Sequence, residues 1–192
     1  MLQILDKMPV SKNSPVDFQS VVPISDYVVT VRPMSMGDAE AYAHGTNDEQ
    51  VKRFAHLPLD NYTPEIVHSL LAGAIADGLR DGTLAVLTIA DAGSDQFLGS
   101  LVFFDVTHDD AEIGYWVAKE HRGRRVSSRA LALTLEIGRA LGLKRLRART
   151  VEENPISQRA LMKTGFVQVG DARPQTVPSG KTEMSVDYVI EL

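Results

Sequence analysis

Residues 120–131, EHRGRRVSSRAL, place Arg122, Arg124 and Arg125 around Gly123, with Ser127 and Ser128 just behind, directly ahead of an apolar-periodic stretch. A helix N-terminus offers unpaired N–H groups and a partial positive charge, worth about 0.3–1 kcal/mol toward an exposed anion. Cations and hydroxyls at such a point make an anion site, and phosphate is the anion that suits it. A solvated basic loop is the plain alternative. Glu112, in the strand-like AEIGYWVA (111–118), is the best candidate general base, because burial would raise its carboxyl toward working pH. A strand glutamate turned to solvent explains the same residue. Asn154 is suited to cap a helix opened by Pro155, which leaves the hydroxyl of Ser157 in the first turn for another task.

Other chemistry-bearing residues carry less. His44, His56, His68, His108 and His121 are dispersed, without metal-ligand spacing. His56, in RFAHLPLDNYTPE, lies between two helices, where it borders a substrate pocket or, as a plain loop histidine, sits in solvent or packs locally. Arg145, Arg147 and Arg149 recur at period two, a solvated strand face paired with carboxylates or a stripe near a phosphate. Asp105, Asp109 and Asp110 form an acidic rim that could draw a cationic amine, or a polar hairpin turn.

The elements that must position these groups follow from periodicity. YVVTVRP (27–33) is a β-branched strand, and Ser35 caps a helix through GDAEAYAH, stopped by Gly45. Thr63 and Pro64 open a helix whose Ile66, Leu70, Leu71, Ala74 and Ile75 share a face, closed by Gly78 or Gly82. TLAVLTIA (83–90), FLGSLVFFDVT (97–107) and AEIGYWVA are strands joined by hairpin turns, hence antiparallel. Val126, Ala130, Leu133, Ile137 and Leu141 mark a helix ending at Gly142; KRLRARTV (144–151) is a half-buried strand. A helix from Asn154–Pro155 to Gly165 follows, then strands FVQVG (166–170) and EMSVDYVI (183–190) around a loop with Pro174 and Pro178. Residues 1–24, with Pro9, Pro15 and Pro23, read as an N-terminal arm, and 25–192 as one α/β domain with helices on a mixed sheet.

Whole-chain properties bound the function. A chain of 192 residues buries roughly 70% of its unfolded surface as a single domain. Twenty basic against twenty-five acidic residues give −5, which argues against nucleic-acid or membrane-surface binding. No cysteine means no disulfide, thiolate metal site or cysteine nucleophile. The start, MLQILDKMPVSKNSP, lacks the features of a signal peptide, so a cytoplasmic protein is expected.

Four motifs occur in fixed order: Gly114-Tyr115-Trp116, the loop Arg122-Gly123-Arg124-Arg125-Val126-Ser127, Asn154 with Ser157, and Lys163-Thr164-Gly165-Phe166. Together they resemble the GNAT superfamily of acetyl-CoA-dependent acyltransferases, nearest the ribosomal-protein-alanine N-acetyltransferase (RimJ/RimL-like) type. The resemblance implies a GNAT-like α/β (α+β) fold, with a mostly antiparallel sheet flanked by helices and two central strands splayed after Trp116. It implies that acetyl-CoA is the co-substrate, held by Trp116, Val117, Arg122, Gly123, Arg124, Arg125, Val126, Ser127, Ser128 and Asn154. It also implies Glu112 as base and Ser157 near the thiol, with a primary amine as acceptor, no metal, and a possible homodimer.

Arg125 stands where the family loop has its second glycine, and Ser127 where it has a small residue. A residue entering a helix takes negative φ, which any side chain adopts. An outward Arg125 therefore leaves the amides free; an inward one fills the place of the diphosphate. A non-catalytic binding module with an altered loop, and an enzyme using a longer acyl-CoA, are the two alternatives.

Overall fold

The computed structural model describes residues 16–192. Eight strands form one sheet: β1 (Ile24–Ser25), β2 (Val29–Pro33), β3 (Ala85–Asp91), β4 (Phe97–Phe104), β5 (Asp110–Val117), β6 (Arg145–Val151), β7 (Val167–Thr176) and β8 (Thr182–Glu191). Their order is β1-β2-β3-β4-β5-β6-β8-β7. Every neighbouring pair is antiparallel except β5 and β6, which run parallel and need a crossover. That crossover is α5 (Val126–Ala140), whose Ala130, Leu131, Leu133 and Ile137 pack into the larger core with Leu87, Leu101, Ile113 and Leu146.

The opposite face carries α1 (Ala39–Thr46), α2 (Glu49–Phe54), α3 (Pro64–Ala72) and α4 (Ala74–Asp81). A second apolar cluster there joins Tyr42, Val51, Tyr62, Val67 and Leu71 to Phe97 and Trp116. Side chains alternate along a strand, so Ala111 and Ile113 of β5 enter the larger core while Glu112 and Trp116 turn to the helices of the second. α6 (Pro155–Lys163) follows β6 and buries Leu161.

The expected mostly antiparallel sheet flanked by helices is the observed one, with local differences. The helix expected from Thr63 to Gly78 or Gly82 is two helices, because Gly73 breaks it at φ −123° and ψ −108°. Gly82 then closes α4 in the left-handed conformation, at φ +69°. α2 was not foreseen; Asp48 caps it by accepting from the N–H groups of Gln50 and Val51. β7 extends to Thr176 through Pro174, beyond the expected end at Gly170. β7 is the outermost strand, where a residue without an N–H is tolerated.

The boundary at residue 24 also differs. Val16, Phe18 and Val22 belong to the larger core, and the Phe18 ring lies 5.3 Å from that of Phe103. Burying such a ring is worth about 1.5–3 kcal/mol, so this stretch is part of the domain. The rest of the expected arm, residues 1–15, lies outside the described residues.

Candidate active site

β5 and β6 pair from Asp110↔Arg145 to Ile113↔Ala148 and no further. Beyond Ile113 the first strand follows β4, up to Gly99↔Val117, while β6 follows β8, up to Val151↔Ser185. The strands part, as the splay expected after Trp116 requires, but three residues earlier, after Ile113. A cavity of about 560 Å³ runs through the gap, joining Gly114, Tyr115, Asn154 and Ser157 to Glu112 and Phe104 on the helix-covered face.

At one end of this cavity lies the loop into α5. Gly123 and Arg125 both hold positive φ, +76° and +62°. The negative φ expected for Arg125 is therefore incorrect: it is the cap residue, outside the helix, and its left-handed backbone costs a non-glycine residue about 1–2 kcal/mol. Arg125 is exposed, and its guanidinium has no hydrogen bond or ion pair among the described residues. It lines the cavity from an exposed position. No side chain caps α5 and no acid stands in its first turn, so the first N–H groups of the helix have no side-chain acceptor, and Val126 and Ser127 line the cavity end. This arrangement fits a diphosphate.

Arg124 is exposed, but Arg122 is engaged. Its Nε donates to the Val117 carbonyl at 3.1 Å, Nη1 to Gln50 Oε1 at 3.0 Å, and Nη2 to Asp48 Oδ1. These bonds fasten the loop to the start of α2 and occupy donors that the sequence offered to phosphate.

Glu112 is 4% exposed. Its Oε1 accepts from Arg149 Nε at 2.7 Å and its Oε2 from Arg147 Nη1 at 3.1 Å. Burial pushes the carboxyl up, against the pull of Arg149 and Arg147. The basic stripe is thus the partner of carboxylates, since Asp110 also receives Arg145 and Arg147, and Asp109 pairs with Lys144. Two of the three aspartates of the expected acidic rim are neutralised. Arg149 Nη1 further donates to the Thr176 carbonyl at 3.2 Å, tying the β7–β8 hairpin to the cavity floor.

On the other face, the Tyr115 hydroxyl and Ser157 Oγ lie 3.1 Å apart. Asn154 Oδ1 accepts from the Ser157 N–H at 3.2 Å, capping α6 as expected and turning the Ser157 hydroxyl toward β5. Burial pushes the Tyr115 phenol up, so it stays a neutral donor or acceptor. In the sequence, Tyr115 and Trp116 read as an aromatic pair that lines the cleft or packs in the core. Strand alternation separates the two, putting Trp116 into the second cluster against Tyr42 and Phe97. The Trp116 indole holds the wall, and the Val117 carbonyl is already taken by Arg122. His56 also lines the cavity.

The class that this fold and cleft define is met by a family model. Residues 29–167 match the acetyltransferase (GNAT) domain, and the chain belongs to that family. It is an acetyltransferase, an enzyme class whose acyl donor is acetyl-CoA. In sequence it is 26% identical over 161 residues to the Bacillus subtilis (strain 168) "Probable N-acetyltransferase YjcK", covering 81% of this chain and 89% of that protein. Among solved structures, Mycobacterium smegmatis RimJ in complex with CoA-disulfide superposes with a TM-score of 0.75 at 26% identity, covering 85% and 81% of the two chains. Spermidine N-acetyltransferase from Vibrio cholerae, in complex with CoA and spermine, shares the fold at a TM-score of 0.73 and 16% identity, over 86% and 96%.

Proposed function

We propose that this acetyltransferase moves the acetyl group of acetyl-CoA to a primary amine by direct attack in a ternary complex. The observation that carries the reading is the parted strand pair leading to an uncapped α5 N-terminus. In it, Gly123, Arg124, Arg125, Val126, Ser127 and Ser128 hold the diphosphate, while Trp116, Val117 and Asn154 border the pantetheine arm. Arg122 shapes the loop from behind through Asp48 and Gln50. Ser157, backed by Tyr115, supplies a proton to the departing thiolate. Glu112 retains lone pairs beside its two arginines, and through them it receives a hydrogen bond from the amine or a bridging water.

Tyr42, Phe54, Leu57, Tyr62 and Phe104 line the acceptor side. With Asp109 and Asp110 paired away, this favours an amine on an apolar group over a polycation. The cavity continues to Leu70, Ala74, Ile75 and Leu84, which supports a longer acyl chain as the second reading. A cytoplasmic protein and a homodimer belong to the same proposal. Calorimetric titration with CoA, then thiol release from acetyl-CoA and longer acyl-CoAs with a panel of amines, tests it. A heat-silent titration at millimolar CoA would leave only a binding module.

A further inference from the structure

The acceptor end of the cavity contains a polar atom that the fold leaves without a partner. His56 follows α2, and its backbone sits at φ +48°, a left-handed conformation costing a non-glycine residue about 1–2 kcal/mol. His56 lines the cavity, and its Nε2, which solvent does not reach in this structure, has no hydrogen-bond partner among the described residues. Leaving a buried polar atom unpaired costs about 1–3 kcal/mol. Two unfavourable features thus coincide on one cavity-lining residue, a pattern that clusters at functional sites.

The other proton-accepting groups around the cavity are placed differently. Glu112 has each oxygen held by a guanidinium. Tyr115 is bound to Ser157 on the opposite face. His121 is buried next to the loop, its Nε2 4.0 Å from Glu120. We propose that His56, through its unpartnered Nε2, receives a proton from the acceptor amine. The proposal rests on the acetyl-transfer reading and assigns its base.

The acceptor arrives as an ammonium and gives one proton to the neutral imidazole. The freed nitrogen lone pair attacks the thioester carbonyl carbon, a C–N bond forms and the C–S bond breaks. The sulfur takes a proton from the Tyr115–Ser157 hydroxyl pair, which regains one by way of solvent as the second N–H proton leaves nitrogen. The imidazolium releases its proton, so each turnover delivers one proton to solvent.

Burial holds His56 below its ordinary value of 6.5, with Glu183 pulling it up and Lys181 pushing it down. Those two charges belong to the β7–β8 hairpin, while Glu112 and Arg149 line the same cavity from β5 and β6. On its own side, Lys52 and Arg53 belong to α2, and Arg53 is paired with Glu153. The imidazole is therefore neutral, and able to accept, at pH 7.

The test is the pH dependence of kcat/KM for phenylethylamine acetylation by the full chain and by His56→Asn. Asparagine tolerates left-handed backbone, so this variant is expected to keep its thermal midpoint and its calorimetric CoA affinity. The wild type should lose activity about tenfold per pH unit below a single midpoint under 6.5. In His56→Asn that acid limb should vanish and the plateau rate should fall at least about tenfold, with added imidazole partly restoring His56→Ala. An active wild type beside a variant of unchanged rate and limb overturns the proposal. A wild type that binds no CoA instead overturns the reading beneath it. Independently of turnover, the His56 ring NMR signals should shift when phenylethylamine is titrated into the CoA complex, while those of His108 stay fixed. Unmoved His56 signals also overturn the proposal.

Discussion

From Asp110 to Ile113, β5 has a partner on each side, and its buried acid is braced by guanidinium groups from β6. From Gly114 to Val117 the same strand has no neighbour on the β6 side, and its polar group, Tyr115, meets a serine carried by α6. The difference shows how pairing decides what a polar side chain can do. Where strands are joined, a carboxylate is fixed by cross-strand cations. Where they part, hydroxyls stand in a cavity with hydrogen-bonding capacity left over.

The largest expected effect falls on the closed half. Glu112→Ala removes one carboxylate from Arg147 and Arg149, which keep Asp110 and the Thr176 carbonyl, and should cost about 2–4 kcal/mol in denaturant unfolding, below the deepest buried pairs because both arginines are partly exposed. If stability is unchanged, the brace is wrong and Glu112 acts only through its contact with the amine. In the open half the split should be reversed. Ser157→Ala and Tyr115→Phe should each lower kcat by about 10- to 100-fold with little change in melting. The double variant should lose less than the product of the two, because the hydroxyls act as one unit.

A second braced carboxylate extends the comparison. Burial alone would raise Asp38, but hydrogen bonds from Arg32 and from Ser35 outweigh it and hold its carboxyl below 3.8. A lowered folded value means stability that is present above the unfolded value and lost as pH falls through the folded one. Asp38→Asn should therefore cost about 1–3 kcal/mol at pH 7, with the gap to wild type closing below about pH 4 in acid melts. The smallest effect is at the far end of the open half. Arg125→Gly should relieve left-handed strain and gain under about 1 kcal/mol, since glycine's unfolded freedom offsets part of it. Arg125→Ala keeps the strain and loses only the charge, so both variants should weaken CoA binding by no more than about fivefold, most visibly at low salt.

Much of this architecture is legible in the letters. Alternation in AEIGYWVA and RLRARTV, helical spacing from Val126 to Leu141, and Asn154–Pro155 gave the central strands and both helices near the cleft within a residue or two. What the letters hide is of other kinds. α2 spans six residues, too few for a period to emerge. Phe18 sits among serines and prolines, and only the finished fold provides the Phe103 ring that buries it. Arg125 reads as a residue entering the helix with negative φ, whereas it is the cap residue just outside, and the sign of φ turns on that position. Tyr115 and Ser157 are 42 residues apart, and their meeting is a property of the sheet and the α6 cap together. The orphaned nitrogen of His56 is invisible to sequence, because lacking a partner is a fact about neighbours.

The clasp made by Arg122 reaches beyond the loop it shapes. One guanidinium grips the strand end at Val117, and through Asp48 and Gln50 the opening turn of α2, eight residues upstream of His56 when counted from Asp48. The loop and the α2 side of the cavity thus share one anchoring side chain. On the proposed function, a shift of that loop around an incoming phosphate would be felt on the side of the chamber assigned to the second substrate.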